Sequence, residues 1–207
     1  METFIEPREF VENPQYSQDR HSTLAALDMS SIDEPIVDIL AGFAALPHCF
    51  PLQSCYGHFV CAPDQDSRTI DPVPPGYAGM VRYRIAYVAF SLENSPRGRL
   101  LRESLARVTA VDLGYVQFGT PDWYWRHLRM VNSYALQVEP IAHQLEDEAM
   151  LGLAEALHTQ RARDLFFAEL RAVLAAETTT NPVILGSSKQ GQLLYVPRPS
   201  FRNHYIN

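Results

Sequence analysis

Residues 82–92 constrain the fold more than any other stretch of the chain. Strand alternation places Ala86, Val88, Phe90 and Leu92 on one side and Ile85 and Tyr87 on the other, so both faces are apolar and both need cover. Such a segment reads as a central strand with material packed above and below it. Residues 49–53, 56–62, 111–119, 132–139 and 192–196 read as its companion strands, and in 132–139 the side chains of Tyr134, Leu136 and Val138 point inward.

Helical spacing fills the intervals. Ile32, Ile36, Ile39, Leu40 and Phe43 predict a helix capped by Ser31 or Asp33, with Pro35 in its first turn and Pro47 at its end. Ser95-Pro96 opens a second helix over 96–109, carried by Leu101, Leu105 and Val108. After Pro140, one stripe runs through Leu145, Ala149, Leu153 and Leu157 and another through Phe166, Leu170, Val173 and Leu174, which predicts two helices or one kinked helix. Strand pairs that alternate with helices, without a regular parallel pattern, give an α+β fold with a mixed or mainly antiparallel sheet and packed helices.

At 207 residues, 46% of them hydrophobic and 20% charged, the chain is sized for a single domain with a normal core. We divide it into an irregular N-terminal arm (1–30), the α+β domain (31–196) and a C-terminal tail (197–207). Residues 64–76, rich in Asp, Ser, Pro and Gly, read as a surface loop. No apolar run approaches the roughly 18–20 residues of a membrane span. The first seven residues are acidic where a secretory leader would be basic and then apolar, so a cytoplasmic protein is expected, with no membrane partner. Cys49, Cys55 and Cys61 are odd in number and close together, which suits reduced thiols better than a disulfide framework. The net charge of -7 disfavours indiscriminate attraction to phosphate polymers and leaves RNA as a partner only through a local arginine patch. Lys189 is the sole lysine, which nearly removes Schiff-base chemistry.

Four large enzyme classes lose support because the chain has no G-x-G-x-x-G, Walker A, G-x-S-x-G or H-E-x-x-H pattern. Gly186-Ser187-Ser188-Lys189 lacks the leading glycine of a phosphate loop and reads as a turn. The leading candidate is Ser54-Cys55-Tyr56-Gly57-His58, a tight turn between two strands. Its glycine allows close backbone approach, and its amides can face an anion. Cys55 is a candidate nucleophile with His58 as its base, and Ser54 with the turn amides is a candidate cradle for a carboxylate or phosphate. The alternative is a buried thiol beside a turn. His48, Cys49, Cys55, His58 and Cys61 offer five ligand atoms, but their spacing matches no familiar zinc motif, so no metal residues are assigned.

A second candidate is the run Trp123-Tyr124-Trp125-Arg126-His127-Leu128-Arg129, which suits stacking on a base beside cations, or packing of a loop against a sheet. Arg97, Arg99, Arg102 and Arg107 read as a solvated helix face with Glu103. Glu139, before Pro140 at a strand end, can face a pocket or cap the next helix.

Ile32-Asp33-Glu34 opening a helix, residues 50–57 with their Ser-Cys-x-Gly core, a long strand and helix, and then Leu136-Gln137-Val138-Glu139-Pro140 resemble the tRNA wybutosine-synthesising methyltransferase family, in particular its third-step proteins. The resemblance runs through residues 31–157. Where that family typically reads Ser-Ser-Cys-Ser-Gly-Arg, this chain reads Gln53-Ser54-Cys55-Tyr56-Gly57-His58, and the Ser-His pair that usually ends the family's strand is Ser91-Leu92 here. The resemblance implies an α+β fold and an S-adenosylmethionine or nucleotide-like ligand near Ser54, Tyr56 and Gly57. Cys55 and His58 would be the catalytic candidates, and Trp123, Trp125, Arg126, His127 and Glu139 would line the ligand site. A non-catalytic ligand-binding or interaction protein on the same scaffold, and a metal or redox protein using the clustered Cys and His, are the alternatives.

Overall fold

Residues 82–92 form two strands, and they belong to two different sheets. In the computed structural model, which describes residues 4–140, 143 and 147–180, the elements are β1 (Phe4–Ile5), α1 (Tyr16–Ala26), α2 (Val37–Ala45), β2 (Cys49–Cys55), β3 (His58–Val60), β4 (Val81–Arg84), β5 (Ala86–Leu92), α3 (Pro96–Ala106), β6 (Val116–Pro121), α4 (Asp122–Arg126), β7 (Ser133–Val138), β8 (Glu148–Leu151) and α5 (Leu153–Thr180). Five strands lie in the order β1-β6-β7-β5-β2 and three in the order β3-β4-β8, every pair antiparallel. The fold is α+β.

Between β4 and β5 the chain bends at Ile85, whose amide donates to the Asp147 carbonyl. The buried Tyr83 hydroxyl holds the bend by accepting from the Ala86 amide at 2.9 Å and donating to the Val138 carbonyl at 2.7 Å. The partner strand bends beside it. β2 and β3 do not pair with each other as a hairpin would; β2 pairs with β5 and β3 with β4. Register is conserved through the bend, since Cys55 lies opposite Tyr87 and His58 opposite Arg84, three residues on in each strand. Segments 49–60 and 81–92 are therefore one long, bent, two-stranded ribbon shared by both sheets. Gly57, at φ +88°, sits in the bend, where a Cβ would lie 2.7 Å from the Ala86 Cβ.

One face of the five-stranded sheet carries the main core. Val88, Phe90, Leu92, Tyr134, Leu136 and Val138 meet Ile39, Leu40 and Phe43 of α2, Leu101 and Leu105 of α3, and Phe166, Phe167 and Leu170 of α5. Phe43 stacks on Phe90 with centroids 5.2 Å apart. Each such ring removed from water stabilises the fold by roughly 1.5–3 kcal/mol. A smaller core joins Phe59, Val81, Tyr83, Ala149 and Leu151 of the three-stranded sheet to Ala156 of α5 and Val73 of the 64–76 loop, which carries neither helix nor strand. On the opposite face of the larger sheet, Tyr124 of α4 packs with Ala89, Ala135 and Leu52.

Several expectations shift. The Leu145-to-Leu157 stripe is not one helix: residues 148–151 alternate exposed and buried, a period of two that fits β8, and α5 then runs unbroken to Thr180, about 42 Å. The 1–30 arm is not irregular throughout: it contains α1, a mostly polar helix that Arg20 ties down by donating to the carbonyls of Ala44, Leu46 and Cys49. The α3 arginines are not all solvated. Arg102 reaches the Pro7 and Arg8 carbonyls, and Arg99 and Arg102 both lie over the Phe10 ring. Ser95 caps α3 by accepting from the Gly98 amide, as its position predicts, and a 3-10 turn (Arg107–Val111) delays the next strand to Val116. The predicted strand 192–196, the turn at 186–189 and the tail lie outside the described residues.

Candidate functional site

The bend of the ribbon gathers the chemistry. Cys55 closes β2, His58 opens β3, and Asp33 reaches them from the segment before α2; one ligating atom of each lies within 4.8 Å of the others. Asp33 holds the N-cap position of the 3-10 turn Glu34–Ile36 that leads into α2, but its side chain makes no cap hydrogen bond. One carboxylate oxygen accepts from the Tyr56 amide at 2.8 Å and lies 3.4 Å from His58 Nε2, and the other accepts from Arg68 at 3.2 Å. The opposite ring nitrogen of His58, Nδ1, donates to the Thr69 carbonyl at 3.0 Å.

These contacts set the charges. Burial pulls the His58 pKa down, but its hydrogen bonds to Asp33 and Cys55 outweigh that and lift it to about 10. For Asp33, burial acts upward, and hydrogen bonds from His58, Tyr56 and Arg68 override it and hold the carboxyl at about 2. The pair is imidazolium and carboxylate at neutral pH.

Arg163 of α5 completes the corner. Buried to 3% exposure, it donates to the Gly57 carbonyl at 2.9 Å and lies 4.0 Å from the Tyr56 ring centroid. Tyr56 also stacks on Phe167. The sequence did carry a signal for Arg163: with Thr159, Phe166, Phe167 and Leu170 it falls on the buried stripe of α5, and a guanidinium on such a stripe needs a partner. Asp33 stood in the sequence only as one of two cap candidates and as part of the helix-opening triplet, and Tyr83 had no local signal.

The corner itself is closed. Cys55 and His58 are 5% and 1% exposed. The open space lies one residue back along β2, where Leu27, Ser31, Ile32, Leu40, Pro51, Leu52, Gln53 and Ser54 line a hollow of about 180 Å³. Of the motif, Ser54 faces this hollow, Tyr56 is half-buried against α5, and Gly57 serves the bend.

The aromatic run supplies α4, which packs against the larger sheet. Trp123 is 47% exposed, Trp125 donates to the Ser133 carbonyl beneath the Arg8 guanidinium, Arg126 pairs with Asp122 at 2.7 Å, and His127 lies near the Trp123 ring. The α4 residue that reaches β2 is Tyr124, whose hydroxyl donates to Gln53 Oε1 at 2.7 Å. Glu139 is buried at the end of β7, where one carboxylate oxygen accepts from Gln137 at 3.3 Å. Of the five soft ligands, Cys55 and His58 come together, with Asp33; His48 is buried near Glu177.

Fold and site together define an α+β domain with a charged, buried corner beside a small hollow. No family model matches the chain, and no curated protein matches it. Among solved structures it is similar to the PH1069 protein from Pyrococcus horikoshii, with 12% identity and a TM-score of 0.46 over 81% of this chain and 96% of that one. A second structure of that protein, from strain OT3, gives 11% identity and a TM-score of 0.46 over 82% and 96%. A hypothetical protein from Aeropyrum pernix gives 12% and 0.38 over 69% and 98%. No helix among the described residues is long and apolar enough to cross a membrane.

Proposed function

We propose that the chain binds S-adenosylmethionine or a nucleotide-like ligand in the hollow beside Ser54, as a divergent relative of the wybutosine-type tRNA methyltransferases. The observation that carries this reading is the position of the hollow against Gln53 and Ser54, the two residues that lead into the Cys-x-Gly turn. Its wall combines the apolar Leu27, Ile32, Leu40, Pro51 and Leu52 with the polar Ser31, Gln53 and Ser54, which together offer a ring apolar contact and hydrogen-bond partners. At about 180 Å³ the hollow is smaller than the roughly 300–1,000 Å³ that encloses a drug-sized ligand, so it accepts one ring-sized group and leaves the remainder of the ligand in solvent.

The burial of Cys55 and His58 favours a second reading, binding without methyl transfer. A catalytic group needs hydrogen-bond reach of the reacting atom, and these two are occupied inside the corner. Calorimetric titration with S-adenosylmethionine and with adenosine tests the first reading: saturable heat is expected from the wild type and none from Ser54→Phe, which fills the hollow. No heat at millimolar ligand, or equal affinity in the variant, defeats it. Transfer of a labelled methyl group to tRNA that carries the product of the preceding modification step separates the two readings.

A further inference from the structure

We propose that Asp33, Cys55 and His58 form a three-ligand site for a zinc-like divalent cation, buried under the bend of the ribbon. The three donors come from separate segments, before α2, at the end of β2 and at the start of β3, and they converge on one point. Cysteine sulfur, imidazole nitrogen and carboxylate oxygen are the three ligand types that zinc takes, whereas magnesium and calcium want all-oxygen shells.

Two distances support the assignment. Ligands about 2.0–2.2 Å from a tetrahedral ion sit about 3.4 Å apart, and His58 Nε2 lies 3.4 Å from the Asp33 carboxylate. With all three atoms within 4.8 Å, the Cys55 sulfur needs to move by at most about 1 Å to complete the face. The outer contacts are those of a metal-binding histidine: Nδ1–H donates to the Thr69 carbonyl, which fixes the ring with Nε2 toward the cluster. The Asp33 carboxylate is likewise oriented by the Tyr56 amide and by Arg68.

Zinc takes thiolate and neutral imidazole, so any proton on the Cys55 sulfur and on His58 Nε2 leaves to solvent as the ion enters. Three protein donors leave a fourth position on the ion. This proposal stands apart from the ligand reading, because its readout involves the metal alone.

The test is titration of chelator-treated full-length protein with Co²⁺. A thiolate-to-cobalt charge-transfer band in the near ultraviolet and the intense visible bands of tetrahedral cobalt are expected, at one ion per chain and reversed by Zn²⁺. Cys55→Ser removes the charge-transfer band, and His58→Asn weakens binding more than about 100-fold. Cys61→Ser leaves both unchanged. Asp33→Asn is the second variant should His58→Asn not fold, and Zn²⁺ raises the Tm of the wild type but not of these ligand variants. A flat cobalt titration overturns the proposal, as does a charge-transfer band that survives Cys55→Ser or vanishes in Cys61→Ser.

Discussion

Gly57→Ala is the sharpest probe of the bend. At φ +88°, an alanine adopts a backbone conformation that costs an L-residue about 1–2 kcal/mol. Its new methyl would stand 2.7 Å from the Ala86 Cβ, 3.1 Å from the Ala86 nitrogen and 3.2 Å from its Cα. These are backbone or backbone-fixed atoms, clamped by the Tyr83 hydroxyl on the Ala86 amide, so they cannot swing aside as a flexible side chain would. Overpacking of this kind costs about 1–3 kcal/mol. The alanine recovers about 0.4–1 kcal/mol by restricting the unfolded chain. The net expectation is a loss near 3 kcal/mol, a large part of the roughly 5–15 kcal/mol that holds a domain together. Urea denaturation reads it as a lower midpoint at constant slope. Gly76→Ala is the control: at φ +79° with nothing within 4 Å of its Cβ, it carries the conformational cost without the clash and loses about 1 kcal/mol or less. A double-mutant cycle with Ala86→Gly should show coupling of at least about 1 kcal/mol. A Gly57→Ala protein within about 0.5 kcal/mol of wild type, or a cycle with no coupling, would refute the packing argument.

Three further outcomes follow from the same geometry. Tyr83→Phe deprives the Ala86 amide and the Val138 carbonyl of a buried partner and should cost about 2–4 kcal/mol in denaturant melts, against the small change expected were the hydroxyl idle. Arg163→Met keeps the stem but strips the Gly57 carbonyl and the Tyr56 ring of the guanidinium; a loss of about 1.5–3 kcal/mol is expected, and an unchanged melting curve would count against its role as a clamp. His48 is held below its ordinary 6.5, because burial outweighs the upward pull of Glu177 and Glu93, with Arg97 and Arg20 adding downward push. Its neutral form is favoured by folding, so its contribution is full above about 6.5 and is lost as pH falls below that value toward the folded-state pKa, the window in which only the unfolded chain takes the proton. Denaturation at pH 7.5 and 5.5 should show a larger acid-side loss in wild type than in His48→Leu, and parallel losses would dismiss the argument.

The fold class and the inward faces of β5 and β7 were legible in the sequence, because their large apolar side chains recur at every second position, a period that needs no partner to be read. The Ser95 cap was legible for the same local reason. The partition of 82–92 between two sheets was not, since an apolar run covered on both faces looks the same whether it stays in one sheet or crosses to another. What decides it is the Tyr83 hydroxyl meeting Val138, 55 residues on. At the site, Cys55, Gly57 and His58 could be picked out by their density in one turn, but Asp33 carries its meaning through Tyr56, His58 and Arg68, all more than 20 residues away. For the aromatic run, Tyr124 rather than either tryptophan makes the bridge to Gln53, a choice set by α4 lying on the sheet rather than by ring count.

The shared ribbon has a consequence for how faithfully the chain assembles. A strand that slips by one residue exchanges its inner and outer faces. The β2–β5 ladder shifts register once, between Pro51 and Gln53; from there on nothing is inserted through the bend, so a slip of residues 53–55 against β5 would have to be copied between β3 and β4. An error tolerable to the short outer sheet would expose Val88 and Phe90 in the larger one, and an error in the larger would unseat Phe59 from Tyr83. Each sheet thus proofreads the other, and three-residue β3, too brief to choose its own alignment, inherits it from its longer neighbour.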